Sequence, residues 1–224
     1  MIEALAVAIL IPFIMLVLLV ERRETSILLS FFAWGSVAGF LATKINTHIL
    51  RSYGLTVPEL SVEFAPVTEE FVKALPLLIM FFLLPVFLKK KETILASIFS
   101  GIGFSVVENY SYILKNVHDS TSSLVALTVT RSISTTIMHG IATGLVGAAV
   151  YYVYSGTFEE FDYVQVIIIV GFSYAVMIHA LFNLYVKHSR LGRLVMIMTA
   201  LIMYLIAFIF FETYYPEIKE SSPD

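Results

Sequence analysis

The sequence predicts an all-α, polytopic membrane protein with about seven transmembrane helices in one bundle. Of its 224 residues, 58% are apolar and 14% are charged, whereas soluble domains carry about 25% charged residues. Mean hydropathy is +0.88. The apolar residues also fall in runs of roughly 20, the length that a helix needs to cross a hydrocarbon core of about 30 Å. We therefore expect residues 1–224 to form a single transmembrane domain.

Seven apolar segments are long enough to span the bilayer. They lie at about 3–20, 26–48, 66–88, 93–114, 123–153, 163–186 and 194–212. The first has no basic region before it and no small-residue cleavage site after it, so we expect a retained anchor rather than a signal peptide. The fifth has room for an interfacial turn, and Pro76 and Pro85 are expected to kink the third. A short polar tail, 213–224, follows the last span.

The charges of the loops predict the orientation and exclude one class of partner. Arg22 and Arg23 follow the first span and a triple lysine, 89–91, follows the third. Because basic loops favour the cytoplasm, the N-terminus is expected outside, although the basic loop at 187–193 opposes this orientation. The net charge of −3 gives no reason to expect nucleic acid. The lipid bilayer is the expected surrounding.

A pair of carboxylates precedes the third span. Pro66 suits the first position of a helix, which would place the positive end of the helix dipole beside Glu69 and Glu70. Lys73 follows Glu69 by four residues, so these two are expected to pair on one face, with Glu70 about a quarter-turn away. The preceding segment, 49–65, is interpreted as an interfacial or re-entrant stretch.

Further ionisable side chains recur inside the spans. Each costs about 2.5–3.5 kcal/mol at the centre of a membrane helix, so several together need mutual partners or a water-filled cavity. They are Glu108 in the fourth span, Arg131 and His139 in the fifth, and His179 in the sixth. We therefore expect a shared interior site that includes the carboxylate pair.

Excluding other catalytic residue types leaves glutamate and histidine as the candidate catalytic groups. The three aspartates lie outside the spans and the chain has no cysteine, which excludes aspartyl and thiol catalysis within the membrane. Glu108, His139 and His179 could bind zinc and leave a position open for water. Alternatively, a glutamate could activate water without a metal. A proton- or ion-coupled carrier is the rival class, but no inverted repeat relates the two halves.

Four blocks in chain order resemble the PrsW family of intramembrane proteases, distant relatives of the CAAX prenyl endopeptidase and Abi superfamily. CAAX-type relatives have histidine in place of Glu108 and arginine in place of Lys73, so the resemblance favours PrsW over a prenyl-processing or immunity protein. The blocks extend over about 65–183. They are Glu69-Glu70-x-x-Lys73, Phe104-x-x-x-Glu108-Asn109-x-x-Tyr112, Arg131 with His139-Gly140-x-x-Thr143, and His179-x-x-x-Asn183.

The resemblance implies cleavage of membrane-anchored proteins in a prokaryotic plasma membrane, as bacterial members cut an anti-sigma factor. Glu69, Glu70, His139 and His179 are the implied essential residues, and Asn183 would orient His179 or donate to the oxyanion. We expect Glu70 to be the base, because Lys73 would neutralise Glu69. The family is classed as metallopeptidases while superfamily relatives are described as metal-independent glutamate proteases, so zinc and a metal-free mechanism both stay open.

Overall fold

The computed structural model describes Ala8, Ile11, Pro12 and residues 25–84, 88–116, 121–155 and 161–188. Within these ranges the chain is all-helical, which confirms the predicted fold class. The predicted anchor, 3–20, lies outside the described residues except for the three named first. The span 194–212 and the tail 213–224 lie wholly outside them. The count of seven spans therefore stays a prediction.

Five long helices correspond to the five central predicted spans. Three of them contain segments long and apolar enough to cross a membrane, namely Ser26–Tyr53, Ser123–Val153 and Val166–Tyr185. The other two carry more aspartate, glutamate, lysine and arginine residues than these three. In chain order the helices are α1 (Thr25–Tyr53), α2 (Ala65–Leu83), α3 (Lys90–Lys115), α4 (Thr121–Ser155) and α5 (Phe161–His188).

The turn between α1 and α2 is itself mostly helical. Gly54 has φ +62, and Thr56 caps the helical turn Val57–Glu59 in a capping box with Glu59. A π-helical turn, Leu60–Phe64, then runs directly into α2. The wider turn suits Pro66, which has no N–H to donate and whose ring would clash with a carbonyl in a regular α-helix.

Because the helical turns run without a break into α2, the expectation that Glu69 and Glu70 lie at a helix N-terminus is wrong. Helical structure begins at Val57 rather than at Pro66, so Glu69 and Glu70 lie well inside a helical path and not at a free helix N-terminus. The dipole contribution falls off within the first turn. Side chains from other helices, rather than the dipole, therefore have to stabilise these carboxylates.

Two other expectations concern how helices end or break. The fifth predicted span forms the uninterrupted helix α4 of 35 residues, so the expected interfacial turn is wrong. The segment contains no proline, and hydroxyl groups such as that of Thr128 donate to the carbonyl one turn earlier, at 2.7 Å. Helix α2 continues past Pro76 and ends before Pro85, where Leu84 has the extended backbone favoured ahead of proline.

Helix α3 packs closely between α1 and α4 because glycines leave no side chain in the contacts. A Cβ at Gly101 would collide with the backbone carbonyl of His139, and a Cβ at Gly103 would collide with that of Phe32. On α1, a Cβ at Gly35 would collide with the carbonyl of Ser100. These contacts set the distance between the backbones that carry Glu108 and His139.

Replacing Gly101 with alanine should push α3 away from α4 beside His139. Overpacking of this kind costs about 1–3 kcal/mol, and we expect a lower melting temperature in detergent. Gly140→Ala is the matched control, because its new Cβ would meet Ile98 Cγ2 at 3.5 Å, an ordinary contact. Equal melting temperatures of the two variants would contradict this account of the packing.

Candidate active site

The structure brings the ionisable residues of four helices together inside the bundle. Eight of the side chains predicted from the sequence take part in one connected set of hydrogen bonds and ion pairs, and Asn46 of α1 extends it. The eight are Glu69, Glu70 and Lys73 on α2, Glu108 on α3, Arg131, His139 and Thr143 on α4, and His179 on α5.

Glu70 is completely enclosed and has a partner for each oxygen. Lys73 Nζ lies 2.6 Å from Oε1, and neither side chain is exposed. His179 Nδ1 lies 2.8 Å from the same oxygen, and Thr143 Oγ1 donates to Oε2 at 3.2 Å. Because the carboxylate can only accept, His179 must donate its Nδ1–H. Glu70 therefore orients His179 and has little room for a water molecule.

The predicted pairing of Lys73 with Glu69 is wrong. Residues three and four apart both lie on one helix face, so the spacing alone could not choose between the two glutamates. The choice is made by tertiary neighbours: Lys73 Nζ lies 4.8 Å from the centre of the Phe104 ring and 2.9 Å from His139 Nδ1. With this correction, the reason for choosing Glu70 as the base disappears.

Glu69 differs from Glu70 in exposure and in partners. Its side chain is 15% exposed, and Asn46 Nδ2 donates to Oε1 at 3.0 Å. The other oxygen, Oε2, lies 3.6 Å from His179 Nε2, too far for a direct hydrogen bond. Glu69 Oε2 and His179 Nε2 thus lie close together without a hydrogen bond between them, so a water molecule beside the pair could contact both atoms.

His139 connects Lys73 to a second acid–base pair. Because the ammonium group of Lys73 can only donate, His139 Nδ1 accepts and its Nε2–H points to Glu108 Oε2 at 3.0 Å. Arg131 Nη2 donates to Glu108 Oε1 at 3.0 Å. The guanidinium of Arg131 also lies over the Tyr112 ring, 3.9 Å from its centre. Glu108 is therefore the carboxylate that Arg131 pairs with.

Asn109, predicted to support the site, and Asn183, predicted to be catalytic, both have contacts that the sequence did not predict. Asn109 accepts from Thr135 Oγ1 at 3.0 Å, which joins α3 to α4. Asn183 Nδ2 donates to the backbone carbonyl of Ser61 at 2.8 Å. In this arrangement Asn183 holds the π-helical turn that precedes the carboxylates, rather than donating to an oxyanion.

Sequence reasoning missed Asn46, which lies on α1 outside the four blocks. Its side chain is 8% exposed, and its Oδ1 is buried without a hydrogen-bond partner among the described residues. A signal did exist, because Asn46 is an amide within a predicted apolar span. Nothing in the local sequence, however, links it to a glutamate 23 residues later.

A possible metal set differs from the one predicted. Ligand atoms of Glu69, His139 and His179 lie within 4.8 Å of one another, so Glu69 takes the place expected for Glu108. Both ring nitrogens of His139 already have partners, namely Lys73 and Glu108. The three residues are close enough for one ion, but this pattern of hydrogen bonds does not fit a three-ligand zinc centre.

A helical membrane bundle that encloses paired glutamates, two histidines and a lysine defines a candidate intramembrane hydrolase. The family model described as "PrsW family intramembrane metalloprotease" matches residues 23–211. The chain therefore belongs to the PrsW family, as the four blocks indicated, and is an integral membrane peptidase. No curated protein and no solved structure matched the chain.

Asn46→Leu should slow peptide cleavage without unfolding the protein. The change removes the donor that holds Glu69 Oε1, and a hydrogen bond to a charged group contributes about 1.5–3 kcal/mol. If that energy orients the carboxylate during the reaction, kcat falls about 10–100-fold. Lys44→Leu, at an exposed position of α1, is the control. Equal kcat values for the two variants would contradict a role for Asn46 in holding Glu69.

Proposed function

We propose that the protein hydrolyses peptide bonds of membrane-anchored proteins by a metal-independent, glutamate-type reaction. Glu69 activates the attacking water. The observation that carries this proposal is the gap of 3.6 Å between Glu69 Oε2 and His179 Nε2. Glu70 is fully enclosed by three partners and serves to orient His179.

The gap has the chemistry that a nucleophilic water needs. Glu69 Oε2 is an acceptor, and His179 Nε2 is also an acceptor because its Nδ1–H is directed to Glu70. A water that lies beside this pair, about 2.8 Å from each atom, can donate one hydrogen to Glu69 Oε2 and the other to His179 Nε2. Its oxygen lone pair then remains available to attack a substrate carbonyl carbon.

Glu69 both accepts the proton that the water loses and donates it to the leaving group. As the water oxygen bonds to the carbonyl carbon, Glu69 takes one proton; it then gives this proton to the amide nitrogen when the C–N bond breaks. The products are a carboxylic acid and an amine.

The substrate class and the orientation form the second part of the proposal. The triple lysine at 89–91 favours the cytoplasmic side, so the opposite end of α2, which carries Glu69, lies toward the outer side. A site at that depth suits a cut near the extracytoplasmic end of a substrate's membrane anchor. Anti-sigma-factor-like proteins of a prokaryotic plasma membrane are the substrates that the family resemblance suggests.

Glu69→Gln and Glu70→Gln should fail in different ways. Glu69→Gln removes the base but keeps the shape, and we expect cleavage to fall about 10²–10⁴-fold with little change in melting temperature. Glu70→Gln leaves the buried Lys73 charge without its partner, a loss of about 3–5 kcal/mol in stability. Cleavage of a reporter with a single membrane helix in proteoliposomes, together with thermal unfolding, measures both effects. Near-normal cleavage by Glu69→Gln would refute its role as base.

Removal of metal should leave cleavage intact. We expect purified protein, treated with chelator and dialysed, to cut the reporter at the untreated rate while mass spectrometry finds zinc far below one ion per chain. The His179→Ala variant, treated in parallel, shows whether any residual zinc depends on this site. Near-stoichiometric zinc that falls in that variant, with cleavage lost on chelation, would instead establish a metalloprotease.

A further inference from the structure

We infer that Lys73 prevents His139 from binding a metal, and that removing the Lys73 amine would convert Glu69, His139 and His179 into a zinc site. This inference rests on the metal-independent reaction proposed above. The role assigned to Lys73 is to hold His139 in a hydrogen bond that excludes a metal ion. The sequence block that contains Lys73 does not reveal this role. Its basis is the set of groups around Nζ.

The ammonium group of Lys73 occupies the position that a bound cation would take. It is enclosed by a carboxylate oxygen of Glu70 at 2.6 Å, a ring nitrogen of His139 at 2.9 Å and the face of Phe104 at 4.8 Å. The backbone is fixed as well, because Ser100 Oγ donates to the Lys73 carbonyl at 2.8 Å. The side chain, 0% exposed, has no solvent into which it could move.

Neither nitrogen of His139 can bind zinc while Lys73 is in place. A zinc ion lies about 2.0–2.1 Å from a histidine nitrogen, along its lone pair. On Nδ1, this position faces the Lys73 Nζ only 2.9 Å away, so ion and ammonium would compete for one space. The Nδ1 route is therefore closed.

The Nε2 route fails for a related reason. A neutral imidazole that binds metal through Nε2 carries its hydrogen on Nδ1. That hydrogen would point at the Lys73 ammonium, placing two donors against each other. Glu108 Oε2, at 3.0 Å from Nε2, would also have to withdraw. Lys73 thus closes the Nδ1 route and, together with Glu108, the Nε2 route, so removal of the amine frees Nδ1.

The remaining parts of a zinc site are already arranged. Glu69 Oε2 and His179 Nε2 face one gap, and the ligand atoms of the three residues lie within 4.8 Å of one another. His179 donates its other ring N–H to Glu70 at 2.8 Å, the carboxylate–histidine contact that commonly supports zinc ligands. The amine of Lys73 is therefore the element that separates this site from a metal centre.

Zinc binding by Lys73→Met tests the inference without using activity. Because this change leaves Glu70 buried and unpaired, the double variant Lys73→Met/Glu70→Gln is made as well; its glutamine can still accept from His179 Nδ1. Zinc is titrated into chelator-treated protein and followed by calorimetry. Lys44→Met, at an exposed lysine of α1, is the control for loss of a positive charge.

We expect one zinc per chain in the Lys73 variants, bound on the order of 10-fold or more tightly than by wild type or Lys44→Met. Adding His139→Ala should abolish the gain. Unchanged zinc affinity in a folded Lys73 variant, or a gain that survives the loss of His139, would overturn the inference and leave the metal-independent reaction standing.

The wild-type background supplies a test that needs no Lys73 variant. If Lys73 blocks His139, the weak zinc binding of wild type should fall with His179→Ala but not with His139→Ala. Tight wild-type binding that depends on His139 would overturn this inference. The metal-independent reaction is tested separately, by whether zinc-free wild type cleaves the reporter.

Discussion

A lysine and a glutamate lie 2.6 Å apart with no exposure to solvent, and the other contacts of the site depend on this pair. Burying two charges costs several kcal/mol per ion unless good geometry and further hydrogen bonds compensate. Here the compensation comes from His139, Thr143 and His179 on two other helices. The ion pair therefore fixes both imidazoles, and it makes the two glutamates chemically different although they are adjacent in sequence.

Close backbone contacts make this arrangement possible. The network requires α3 and α4 to approach until Glu108 reaches His139 at 3.0 Å, and the glycine at 101 permits that approach. Small residues at helix contacts are the usual means of close packing in membranes, where lipid removes the hydrophobic drive between helices. The distance between the backbones of α3 and α4 therefore determines both the helix packing and the hydrogen bond between Glu108 and His139.

Hydrophobic length and spacing predicted the five central helices and most of the residues that meet in the site. They did so because a bilayer imposes one element length and because buried ionisable groups need one another. The partner of Lys73 could not be predicted, since positions three and four apart share a helix face and only Phe104 and His139 decide between them. Asn46 was missed because its contact with Glu69 exists only in the folded bundle.

The hydrogen bond from Asn183 to the Ser61 carbonyl has a mechanical consequence. It ties α5, which carries His179, to the segment that leads without interruption into Glu69. A displacement of α5 that keeps this hydrogen bond would carry that segment with it. Such a displacement would change the separation of Glu69 and His179 less than it changes the packing of α5 against the other helices.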